Sequence, residues 1–263
     1  MAIPVLSDVP AALRFLSRLP VPRLGSEGSI DSPPDIERLG PAFPIAAALI
    51  GVTGALAFLI GHWLNLGNFI SATLAVGVLA AVTGALHEDG LADTADALGG
   101  MNIPRRLEIM KDSAVGPFGV VALILSFALR IGALAALASI SVLGAAGAII
   151  AAASVSRLSA LWILHALPPA RPTGLSSSAG RPSRNTLQKA ASIAAAIAAI
   201  LVIPSFGILS LLAGFLLGIV ALFGLTRLAD AQFGGQTGDV AGATVAVVEI
   251  AFLLGLLIFA RPL

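Results

Sequence analysis

Apolar residues come in long blocks along this chain, and the polar residues collect between them. Blocks near the length needed to cross a bilayer, about 20 residues, lie at 42–63, 69–86, 117–138 and 143–165. The polar stretch "PPARPTGLSSSAGRPSRNT" is followed by blocks at 189–203 and 206–228, split by "PSFG", and by a last one at 242–260. This pattern predicts an all-α polytopic membrane protein, a single integral-membrane domain over 1–263 with about seven transmembrane helices. Were 189–228 one kinked helix, the polar loop "GGQTGD" (234–239) would face away from every other polar loop, so two spans are expected there. Segment 1–41 precedes the first span. Within it, "AALRFLSRL" is bounded by prolines and spaces Leu13, Leu16 and Leu19 as a lipid-facing stripe, which predicts a short helix in the membrane interface. The prolines at 4, 10, 20 and 22, and the lack of a long apolar core behind a basic start, argue against a secretory signal.

The charges between the blocks set an orientation. Lys and Arg accumulate in cytoplasmic loops, and here they fall in 1–41 (Arg14, Arg18, Arg23, Arg38), 87–116 (Arg105, Arg106, Lys111) and 166–188 (Arg171, Arg181, Arg184). The turns "NLGN", "SISV" and "PSFG" carry none. The expected topology therefore puts the N-terminus and all the polar chemistry inside, and Arg261 outside. Ala and Gly dominate the spans, and Gly214 with Gly218 forms a GxxxG pair; small residues let helices approach closely in lipid, which predicts a compact bundle.

Composition sharpens this picture. Of 263 residues 57% are hydrophobic and only 11% charged, against roughly a quarter charged in soluble domains. Fifteen basic and fourteen acidic residues nearly cancel, so the electrostatic footprint of a nucleic-acid binder is missing. Cysteine is absent, so any metal would sit on oxygen or imidazole. No internal repeat is visible, which argues against transporters built from duplicated halves.

Against this apolar background "ALHEDGLADTADALGG" places Glu88, Asp89, Asp93 and Asp96 within nine positions. If 87–98 continues the second span as helix, Asp89, Asp93 and Asp96 share one face, with Glu88 at its edge. Their mutual repulsion calls for a cation, and hard oxygen ligands suit Mg²⁺ with substrate phosphates completing its shell. Gly90 and Gly99-Gly100 would allow close backbone approach. Downstream, "NIPRRLEIMKDSAVGPFG" offers Arg105, Arg106 and Lys111 around a short helix opened by Pro104, cations of the kind a diphosphate needs. A second polar loop, "GGQTGDVAGAT", could expose backbone N–H groups of Gly234, Gly235, Thr237 and Gly238 to phosphate, with Gln236 and Asp239 beside them. Neither GxxxxGK[ST] nor GxGxxG occurs. His87 adjoins the acids as a candidate base. Arg130, Arg157 and Glu249 fall inside predicted spans, where a charge costs on the order of 2.5–3.5 kcal/mol; they are expected to face the bundle interior, Arg130 as a structural partner.

Taken jointly, "HEDGLADTADALGG", "RRLEIMKDSAVGPFG", "GGQTGDVAGA" and "FLSRLPVP" make the chain resemble the cobalamin synthase (adenosylcobinamide-GDP ribazoletransferase) family over nearly its whole length. The resemblance implies a multi-pass, Mg²⁺-dependent enzyme of the bacterial cytoplasmic membrane with its site facing the cytoplasm. It would join adenosylcobinamide-GDP to α-ribazole, or its 5′-phosphate, with release of GMP. Carried onto this sequence, the metal would be held by Asp89, Asp93 and Asp96, with Glu88 and Asp239 as further ligands. Glu88 or His87 would take the hydroxyl proton. The substrate would be held by Arg105, Arg106, Lys111 and the glycine loop from Gly234, with Asp112 part of the basic motif. A homo-oligomer stays open. Two other classes compete: intramembrane phosphotransferases of the CDP-alcohol type, whose motif fails here because Ala92-Asp93 stands where Ala-Arg is required, and ion-coupled carriers, which need acids near the midplane on broken helices.

Overall fold

The computed structural model describes residues 4–22, 35–172 and 180–261; Arg23 and the serine-rich stretch 173–179 lie outside them. Short α1 (Pro4–Ser7), α2 (Val9–Leu16) and α3 (Ile36–Leu39) precede α4 (Phe43–Trp63). The chain continues through α5 (Gly67–Thr83), α6 (Leu86–Ala97), α7 (Ile103–Ile109), α8 (Pro117–Ala138), α9 (Val142–Ala166), α10 (Arg184–Phe233) and α11 (Gly238–Phe259). Among the described residues five helices are long and apolar enough to cross a membrane, and α5 with α6 passes the same test as a bent pair. The molecule is an all-α polytopic membrane protein, as the apolar blocks predict.

The fifty residues of α10 would span about 75 Å if straight, far more than a bilayer. Their neighbours show that the chain reverses instead. At the start, Ser183 N–H donates to Glu37 Oε2 at 2.6 Å. Phe206 packs on Gly144, at the far end of α9. Thr226 Oγ1 then accepts from Trp162 Nε1 at 3.2 Å, back at the end where α10 began. The reversal falls at Gly207, whose φ of 80° is open to glycine, three residues after Pro204. Two antiparallel halves result, so α10 contributes two apolar segments to the bundle.

Small residues set how closely the helices pack. Helix α9 lies at the centre, with Ala145, Ala148, Ala151 and Ala153 fully enclosed. A methyl on Gly51 would come within 2.8 Å of the Ile150 backbone, and one on Gly255 within 2.5 Å of the Ala213 carbonyl. Gly214 of the GxxxG pair faces Phe252 and Leu256, so that pair works within the chain.

Two expectations need correction. Helix α2 is present, but it turns Val9, Ala12 and Leu16 onto the bundle and ends before Leu19, so Leu13, Leu16 and Leu19 form no common lipid-facing stripe. Arg38 anchors the N-terminal segment by pairing with Asp8 at 2.6 Å. The acidic segment also does not continue the second span. Gly84 (φ 65°) and Ala85 (φ 55°) are both left-handed, the N–H groups of this pair close back on Ala81 and Ala80, and α6 leaves α5 at 89°. Helix α6 thus lies along one end of the bundle, outside the spans.

Candidate active site at the polar end of the bundle

Helix α6 meets the start of α11 almost backbone to backbone: a methyl on Gly90 would fall 2.6 Å from the Asp239 carbonyl, and Gly242 sits against the Leu86 carbonyl. That contact brings the acidic motif and the glycine loop, 150 residues apart in sequence, to the same end. The loop is shaped by its own chemistry. Gly234 (φ 71°) caps α10, and a side chain on Gly235 (φ 152°) would strike the Pro168 carbonyl. Gln236 N–H donates to Pro168 O at 2.8 Å, its carbonyl accepts from Ala170 N–H at 2.9 Å, and Thr237 caps α11 through Val240 N–H. Gly235 and the Gln236 backbone therefore dock the loop onto 168–170, Thr237 starts α11, and Gly238 leads into that helix.

The acids of α6 divide. Both carboxylate oxygens of Asp96 are taken by the first turn of α8, accepting from Gly116 N–H at 2.7 Å and Gly119 N–H at 2.8 Å. A side chain at either glycine would occupy the carboxylate's place. Glu88 points inward and pairs with Arg130 at 2.9 Å. The carboxylates of Asp89 and Asp93 accept no hydrogen bond from the described residues, and both lie within electrostatic reach of Asp239. Burial, then the nearby charges of Asp89, Asp239 and Asp96, push the Asp93 carboxyl up to about 6, with Arg171 pulling the other way. Among the described residues no three acidic or imidazole side chains already form a metal cage. Asp96 and Glu88, expected as ligands, have protein partners instead, and His87 is enclosed in the interior with neither ring nitrogen bonded.

The basic segment forms the expected short helix: Asn102 caps α7 by accepting from Arg105 N–H, with Pro104 in the first turn. Arg105 is exposed and pairs with Glu108 at 2.7 Å. Arg106 packs on Gly100 and donates to Gln232 O at 3.2 Å, which ties α7 to α10. Lys111 lines a cleft of about 300 Å³ with Pro104, Leu107, Glu108, Ala170, Arg171 and Pro172. Asp112 accepts from Ala114 N–H within its own turn. Arg171 donates to Leu107 O at 2.9 Å, lines the same cleft and acts electrostatically on Asp93 and Asp239. In the sequence it reads only as one more loop cation. Gly116 and Gly119 carried a faint signal, two glycines flanking a proline where an apolar helix starts.

An apolar bundle with acids, cations and a docked glycine loop at one end defines an integral-membrane helical enzyme with a polar rim. Comparison with known proteins makes that class specific. The family model of cobalamin-5-phosphate synthase matches residues 8–257, and the chain belongs to that family. It is 48% identical over 259 residues to the adenosylcobinamide-GDP ribazoletransferase of Azorhizobium caulinodans, covering 98% of each chain. Enzymes of the same name from Xanthobacter autotrophicus (46%, covering 97% of each chain) and Brucella ovis (40%, covering 96% of each) are also similar. No solved structure matches it.

Proposed function

We propose that the protein joins adenosylcobinamide-GDP to α-ribazole, or its 5′-phosphate, releasing GMP, at the cytoplasmic face of the bacterial inner membrane and with Mg²⁺ as cofactor. The names of its relatives support the reaction. The observation that carries the site is the close contact of Gly90 with the Asp239 backbone, which brings Asp89 and Asp93 of α6 to the start of α11, where Arg171 acts electrostatically on Asp93 and Asp239. The mutual repulsion of these carboxylates suits a divalent cation. Mg²⁺ commonly takes one or two carboxylates and completes its shell with water and substrate phosphates, so a preformed three-acid cage is not required.

One or two of Asp89, Asp93 and Asp239 would hold the ion, which when bound draws negative charge from the phosphate oxygens. Arg171 and Lys111, which line the same cleft, would hold the diphosphate, and Arg106 ties α7 to α10. The ribazole hydroxyl attacks the phosphorus that carries the cobinamide arm; the new O–P bond forms as the bond to GMP breaks, and GMP leaves with the electron pair. Glu88 is bound to Arg130 and His87 is enclosed, so a rim carboxylate not engaged by the ion would take the hydroxyl proton. The test is to supply the purified protein with adenosylcobinamide-GDP and α-ribazole and measure GMP. Release that depends on both ribazole and Mg²⁺ is expected; its absence would overturn the reading.

A further inference from the structure

Four ionisable side chains lie deep in the bundle, behind the rim. Glu88 of α6 meets Arg130 of α8 at 2.9 Å, Arg130 faces Glu249 of α11 at 3.6 Å, and Glu249 meets Arg157 of α9 at 2.7 Å. None of these side chains is more than 7% exposed. Two acids and two bases form one neutral chain across four helices, extended by Ser156 Oγ, which accepts from Arg157 at 2.9 Å.

Stability alone does not account for it. Packed apolar residues in place of a buried ion pair are often as stable or more so. Ionic contacts supply direction and register, which apolar surfaces that slide past one another do not. The chain ends on Glu88, next to Asp89, while Asp96 pins the other end of α6 to α8 and Gly90 seats its middle on Asp239. The acids between these three anchors are Asp89 and Asp93.

We propose that Arg130, backed by Glu249 and Arg157, is a positioning residue: through Glu88 it holds α6 in the register that presents Asp89 and Asp93 to Asp239 and a divalent cation. The inference rests on the metal site proposed above and gives Glu88 a role other than metal ligand or base.

The test uses the full-length protein in nanodiscs, with Mn²⁺ binding read by EPR beside kcat and KM. Arg130→Ala is expected to weaken Mn²⁺ binding about 10- to 100-fold, the range typical of residues that orient metal ligands. It should lower kcat with little change in KM, and Arg130→Lys should restore most of both. Wild-type Mn²⁺ affinity in Arg130→Ala would overturn the proposal. So would tighter binding, because Glu88 freed from its partner would then be acting as a ligand. Should Arg130→Ala fail to fold, Glu88→Leu with Arg130→Met replaces the pair by packed apolar groups; a folded protein with weakened Mn²⁺ binding supports the proposal, and unchanged binding overturns it. The Mn²⁺ measurement needs no substrate. A wild type that binds Mn²⁺ but releases no GMP would sink the assigned reaction and leave the positioning role standing.

Discussion

Spaced alike on one helix, Asp89, Asp93 and Asp96 end in different surroundings. Asp96 is consumed by two backbone N–H groups, whereas Asp93 is partly buried, crowded by other carboxylates and held up to about 6, above its ordinary 3.8. A carboxyl whose folded value is raised takes up a proton on folding. Its contribution to stability is present below about 3.8 and is lost as pH rises through about 6. Without divalent cations the melting temperature should therefore fall between about pH 4 and 7, and Asp93→Asn should flatten that fall while abolishing turnover; thermal unfolding in chelator across pH measures it. The same proton competes with the metal, so the Mg²⁺ concentration for half-maximal activity should climb as pH drops below about 6.

Among the elements, α6 depends on breaks and caps around it. Three features shape it: the left-handed pair Gly84-Ala85 turns the chain by 89°, Gly90 lets it touch α11, and Gly116 with Gly119 receives Asp96. Gly119→Ala puts a methyl where the Asp96 carboxylate lies. It should remove a cap worth about 0.5–2 kcal/mol, lower the melting temperature accordingly and reduce kcat by releasing one end of α6. Unchanged kcat would mean that Asp96 does not hold the site. The helical spacing of the acids was legible because it depends on periodicity alone. Their division into free and bound was not, because "VGPFG" and Arg130 lie 20 to 42 residues further along the chain.

Across the whole molecule, the polar loops emerge together because α10 reverses at Gly207. The inside-positive charge pattern predicts that this end faces the cytoplasm. With no native cysteine in the chain, single cysteines can report on it: Ser113→Cys at the polar end should react with an impermeant maleimide only after cell lysis, and Ser139→Cys at the other end in intact spheroplasts. The opposite pattern would invert the topology and detach the site from cytoplasmic substrates.

The sequence by itself determined the membrane class, the seven apolar segments, the end at which charge gathers and the motifs that mark the family. These follow from local composition and helical period, which each segment carries independently of its neighbours. Only the tertiary structure decided that α6 bends away from its span, that Asp239 and Arg171 act electrostatically on Asp93, and that Glu88 and Asp96 take partners on α8. Those outcomes depend on which backbone N–H, guanidinium or carboxylate lies across from a side chain, and in a bundle of closely packed helices that neighbour comes from a distant part of the chain.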